Sequence, residues 1–216
     1  MSSKKNETEE ESAIPIGLFK EGVISIEGEL AKPTYENGHY GTLENENRLI
    51  LEAEEAILLM ERSRLELNAQ QPPDNSSRPV KVEDLVRYYS AQKPDFLAHY
   101  LVYKDLRNRG YIVRIGSGEI NPYRVYPRGS KPGQDISKIS VFPLPEGRSL
   151  DLSKLNLIVK QARASRKKLL LGVIDRIGDV TYYKASQLDL QANKLAYKFP
   201  NEHKPSSEEL EEEEEE

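Results

Sequence analysis

"SLDLSKLNLIVKQARASRKKLLLGVIDRIGDVTYYKAS", residues 149–186, decides the fold. Its first twenty residues, 149–168, mix apolar and charged side chains at helical spacing and predict a helix. "LLLGVID" (169–175) is a continuous apolar run of strand length. "RIGD" supplies turn formers, and "VTYYKAS" (180–186) closes a hairpin. Upstream, "YIVRIG" (111–116), "YRVYPRG" (123–129) and "KISVFPL" (138–144) are strand-like. Before them, residues 81–111 contain helical segments broken near Pro94. The second segment carries Phe96, Leu97, Tyr100, Leu101, Tyr103 and Leu106 on an apolar stripe, with Gly110 as its stop. Helix, strands, helix, strands is an α+β order.

The first half is read more coarsely. "GLFKEGVISIEGEL" (17–30) suits small strands, Asn37-Gly38 marks a turn, and residues 50–67 carry a helical pattern. "NAQQPPDNSSRP" (68–79) is dense in turn formers and predicts a linker or exposed loop.

The 216 residues have no cysteine, which excludes disulfides and Cys-based metal sites. Neither a signal-peptide core nor a membrane-length apolar run is present, so the expectation is a soluble, cytoplasmic protein with no membrane contact. The net charge of −5 is set by the ends: residues 208–216 hold eight Glu, and residues 1–12 carry a net −2. The body between them is +5, which permits contact with a phosphate backbone without requiring it. Like-charge runs of this kind are expected to be disordered tails.

Within the body, "VYPRGSKPGQDISKIS" (125–140) has the look of a phosphate-holding loop: Tyr126 stands near Arg128, and Gly129, Pro132 and Gly133 bend the chain. "YLVYKDLRNRGYIVRIG", "YRVYPRG", "KPGQDIS", "ARASRKKLLLGVID" and "GDVTYYK" follow in one order over residues 100–184. Together they resemble the C-terminal nuclease domain of archaeal tRNA-splicing (tRNA-intron) endonucleases. "GHYG" and "LEAEEAILLMERSRLEL" resemble that family's first domain more loosely. The fold then expected is α+β: a small mixed N-terminal domain (13–80), then a C-terminal α/β nuclease-like domain with a central mixed sheet (81–198), between acidic tails at 1–12 and 199–216.

The resemblance implies metal-independent RNA cleavage, with no cofactor, to 2′,3′-cyclic phosphate and 5′-hydroxyl ends. A Tyr takes the proton of the ribose 2′-hydroxyl, a His protonates the leaving 5′-oxygen, and a Lys stabilises charge on the phosphorus oxygens. The Tyr falls on Tyr126 and the Lys on Lys167. The His position, ahead of Ser137, holds Ile136, which has no proton to give. Asp135 is adjacent, but aspartate is ordinarily ionised at neutral pH. His39, His99 and His203 have no local spacing to the loop. The resemblance therefore implies a structural, non-catalytic subunit in an α2β2 heterotetramer with a His-containing catalytic paralogue, acting on pre-tRNA with a bulge–helix–bulge.

Two rival readings stay open: an active nuclease in which Asp135 or water replaces the His, and an assembly module without RNA contact. Tyr126 and Lys167 are either survivors or functional. Arg128, Lys160, Arg163, Arg166 and Lys168 form either a solvated face or, at helical offsets, an RNA-binding ridge. Arginines that clamp a bulged base in the family would fall near Lys160 and Tyr182, and neither position is Arg. Asp175 and Asp179 are good turn residues. By the resemblance they also belong to an acidic subunit-interface loop, with Tyr182 and Tyr183 on the interface strand.

Overall fold

The computed structural model describes residues 13–71, 76–116 and 123–187. The two acidic tails and residues 188–198 lie outside them. In the first half, β1 (Ile16–Lys20) and β2 (Val23–Glu27) pair around Glu21 and Gly22, both at positive φ, as a tight hairpin turn requires. There follow α1 (Ala31–Glu36), β3 (Thr42–Asn45), β4 (Arg48–Leu51), α2 (Ala53–Glu61), β5 (Glu66–Gln71) and β6 (Ser76–Val80). The sheet runs β3-β4-β2-β1-β5-β6, and only β1 and β5 pair in parallel. Asn37-Gly38 is a turn, but it closes α1 rather than joining two strands.

Residues 68–79 differ from the expected linker: they are largely the antiparallel β5–β6 pair, with Leu67 opposite Val80 and Gln71 opposite Ser76. Turn formers crowd the middle of that segment and masked the strands on either side. Pro79 is tolerated because β6 is an edge strand, where a missing N–H costs no ladder bond.

The second half begins with α3 (Val82–Gln92) and α4 (Phe96–Asn108), separated at Pro94, and continues through β7 (Ile112–Ile115), β8 (Tyr123–Tyr126), β9 (Ile139–Pro145), α5 (Leu152–Ala164), β10 (Lys168–Ile174) and β11 (Val180–Ala185). Its sheet runs β11-β10-β9-β8-β7, with β9 and β10 parallel and the other pairs antiparallel. α5 is the crossover that a parallel pair needs. The α+β class and the mixed sheet are those the sequence predicts.

Each face of this sheet is covered by a helix. On one side Val102 of α4 comes close to Gly172, where an added Cβ would lie 3.2 Å from its methyl. On the other, Ile158 and Ala162 of α5 pack with Phe142 and Leu169. Buried Ile24, Leu49, Ile57 and Leu59 of the first half share one cluster with Tyr103, Val113, Tyr123 and Val141 of the second.

α5 stops at Ala164, four residues short of the predicted end. Lys167 N donates to Ala162 O and Arg166 N to Arg163 O, closing the helix with Arg166 in the left-handed region at φ 54°. α4 ends the same way with Gly110 at φ 84°. Among the described residues no helix is long and apolar enough to cross a membrane.

Candidate active site

β8 ends, and β9 and β10 begin, at one margin of the C-terminal sheet. Val125 is opposite Ile139, and Ile139 is beside Lys168. The next row outward is therefore Tyr126, Lys138 and Lys167. Strand alternation directs Tyr126 to the face that α5 covers, with Ser140, Phe142 and Leu169, while Lys138 and Lys167 immediately precede β9 and β10. Strands lie about 4.8 Å apart, so the Tyr126 and Lys167 backbones are roughly 10 Å apart, with Lys138 between them. Lys168 N donates to Lys138 O at 2.9 Å and fixes the margin.

Tyr126 is buried, Lys167 half-buried and Lys138 exposed. Such a row can place a phenol and two ammonium groups around one phosphodiester. Sequence inspection did not single out Lys138; the signal lay in strand register, which spacing along the chain does not report. Lys168, on β10 itself, alternates to the opposite face.

The connecting loop is built from its own backbone. Gln134 N and Asp135 N donate to Lys131 O, while the Asp135 carboxylate accepts from Lys131 N at 2.6 Å. Asp135 is thus committed to holding the turn. Ile136 follows, 80% exposed, while its neighbour Ser137 is buried. Nothing in the core demands an aliphatic side chain at 136.

Arg128 pins the loop to α4: its guanidinium donates to Arg109 O, 3.0 Å from Nε, at the negative end of the helix dipole. It lies over Gly110, where a Cβ would come within 2.6 Å of Nε.

Lys160, Arg163 and Arg166 are exposed. The offsets that put Arg166 and Lys167 on the same helical face as Lys160 do not apply, because α5 has already ended. Only Lys160 and Arg163 share a helical turn.

In the β10–β11 turn, Asp175 Oδ1 accepts from Ile177 N and Asp179 N, both at 2.9 Å, so this carboxylate shapes the turn from within. Asp179 is exposed. Tyr182 donates to Asp105 Oδ2 at 2.7 Å, which also accepts from Arg109 Nε. Burial, reinforced by Asp105, pushes the Tyr182 phenol well above the usual range. Tyr183 alternates to the other face of the edge strand and is 57% exposed.

The two described histidines sit in different surroundings. The His99 carbonyl accepts from Tyr123, at the far end of β8 from Tyr126, beside a cleft of about 990 Å³. Burial and then Lys93 lower the His99 pKa to about 4. His39 is bonded through its carbonyl to Arg114. Burial, then Arg107, Arg114 and Lys131, lowers its pKa as well. In each case the shift favours the neutral imidazole.

The two halves of the chain match two family descriptions. Residues 16–74 match the tRNA intron endonuclease N-terminal domain, and residues 96–182 match the tRNA intron endonuclease catalytic C-terminal domain. The chain is 35% identical over 167 residues to a tRNA-splicing endonuclease of Thermococcus gammatolerans, covering 77% of this chain and 94% of that one. It is 29% identical over 184 residues to the tRNA-splicing endonuclease of Methanococcoides burtonii, covering 85% of this chain but only 49% of that protein. With the Methanosarcina acetivorans enzyme it shares 34% identity over 150 residues, 69% of this chain and 40% of the relative. It thus spans about half or less of the two longer relatives and nearly all of the Thermococcus one. The chain belongs to the tRNA-splicing endonuclease family.

Proposed function

We propose that the chain is the structural subunit of a heteromeric tRNA-splicing endonuclease, working in the cytoplasm. It assembles as α2β2 with a His-containing catalytic paralogue and helps position pre-tRNA at its bulge–helix–bulge. The observation that carries this reading is Ile136: an exposed aliphatic side chain stands where the leaving oxygen would need a proton donor. Losing one general acid or base costs about 10²–10⁴-fold in rate. The Asp135 carboxylate is occupied by Lys131 N, which disfavours it as a substitute. Tyr126 and Lys167, with Lys138 added, then hold phosphate rather than cut beside it. Arg128, Lys160, Arg163, Arg166 and Lys168 supply longer-range attraction to the RNA backbone. Asp179 and Tyr183, exposed at the sheet edge, meet the partner, while Asp175 and Tyr182 shape that edge from inside.

Mixing experiments test the assignment. The catalytic paralogue alone, this chain alone and the two together are incubated with a bulge–helix–bulge RNA, and 2′,3′-cyclic phosphate ends are counted. The assignment requires cleavage only from the mixture, and loss of the effect when this chain no longer co-purifies with its partner. An equal rate from the paralogue alone would remove any role for this subunit.

A further inference from the structure

A second candidate surface lies where the first sheet meets α3, and it shares no residue with the Tyr126 margin. The parallel pairing of β1 with β5 and the antiparallel pairing of β5 with β6 set Phe19, Ala69 and Arg78 side by side on three adjoining strands. The small Ala69 between a ring and a guanidinium leaves a hollow. α3 closes it with Tyr88 and Arg87, making a groove of about 650 Å³ with Gln70 and Gln92 on its rim.

The aromatic wall is fixed in advance. Tyr88 meets Phe19 edge-on at 5.1 Å and Tyr89 edge-on at 5.1 Å, while Tyr89 in turn donates to Gly22 O at 2.9 Å. Tyr88 nevertheless remains 38% exposed. Among the described residues neither Arg78 nor Arg87 has an ion pair or a side-chain hydrogen bond. The groove's two acids are Glu21, and Asp84, which accepts from Lys81 N at 3.2 Å.

A held π face, two unpaired guanidiniums and two amides form the donor set that an unpaired nucleotide uses. The base stacks on the ring, and the phosphate takes the fork of an arginine. The volume falls within the range of ordinary ligand pockets.

We propose that this groove binds one unpaired nucleotide of a single-stranded RNA segment, at a distance from the bulge–helix–bulge. The inference rests on the reading that the chain handles pre-tRNA. It gives the seam between the first sheet and α3 a specific part in holding the substrate.

The test uses the full chain and a 5′-labelled single-stranded RNA octamer carrying 5-iodouridine, with binding followed by fluorescence anisotropy across a salt series. Tyr88→Ala lowers affinity roughly tenfold, and Tyr88→Phe, which keeps the ring, leaves it unchanged. The Arg78→Gln/Arg87→Gln double variant lowers affinity and flattens the salt slope by about 0.7, the loss of one phosphate contact to a single strand. Irradiation yields an adduct at Tyr88.

Wild-type affinity in all three variants, each shown folded by circular dichroism, overturns the proposal, as does an adduct confined to other residues. Loss of catalytic-partner binding in Tyr88→Ala with octamer affinity intact also overturns it, by showing a protein contact. Lys138→Ala/Lys167→Ala, assayed on bulged RNA together with the partner, separates the two claims. If that variant fails while groove variants bind the octamer normally, the groove alone is wrong. If the octamer is held in the groove while bulged RNA is ignored, the splicing role is wrong.

Discussion

Ile136 shows what a single side chain decides. It sits in solvent on a loop whose shape comes from Lys131 and Asp135, so changing it leaves folding untouched. Ile136→His, assayed with the lone chain on bulge–helix–bulge RNA, gains cleavage of at least about 10²-fold over the wild-type background, because the restored imidazole joins Tyr126 and Lys167 at the same sheet margin. Gly110 is the opposite case, where the backbone dictates the residue. Gly110→Ala brings a methyl to 2.6 Å from Arg128 Nε and places a side chain at φ 84°. It costs about 1–2 kcal/mol in urea unfolding. That position 136 is an isoleucine is legible in the sequence, and that a proton donor would belong there is what the family resemblance implies. The place of Lys138 was not legible, because its nearness to Tyr126 and Lys167 arises from pairing between strands.

At the scale of elements, periodicity reported the long apolar stretches well: α4, α5 and β7 to β11 follow the sequence pattern closely. What it missed had competing local signals. The β5–β6 pair was hidden by Pro, Asn and Ser, and α5 was overrun because Arg166 and Lys167 look helical in sequence. Arg166 instead takes the left-handed position usually given to glycine. The β10–β11 turn depends on Asp175, whose carboxylate accepts two backbone N–H groups. Asp175→Ala therefore lowers stability by about 0.5–1.5 kcal/mol in chemical denaturation. Ile158→Ala, which empties the contact of α5 with Phe142 and Leu169, costs more, about 2–5 kcal/mol.

At the scale of the whole molecule, the shared core links α2, the first sheet and β7, and it contains an unusual acid. Burial pushes the Glu55 carboxyl up to about 7 from an ordinary 4.5, against the opposing effect of bonds from Glu52 N, Gly41 N and the charge of Arg114. The folded chain therefore binds more protons at this site than the unfolded chain between about pH 4.5 and 7. Its contribution to stability falls as pH rises through that window. Buried Glu54 is raised as well and acts in the same sense. His99, lowered to about 4 from 6.5, acts in the opposite sense between those values. Glu55→Gln keeps a carbonyl oxygen for both backbone donors and cannot ionise. Its stability relative to wild type accordingly rises as pH goes from 4.5 to 7, read from urea titrations at each pH. On the proposed assignment, this subunit holds RNA and its partner severs it. The most direct measurement is single-turnover cleavage of a bulge–helix–bulge RNA by the purified chain alone. No 2′,3′-cyclic phosphate product above background is expected until the His-containing partner is added. Product from the lone wild-type chain, abolished by Tyr126→Phe, would contradict the assignment.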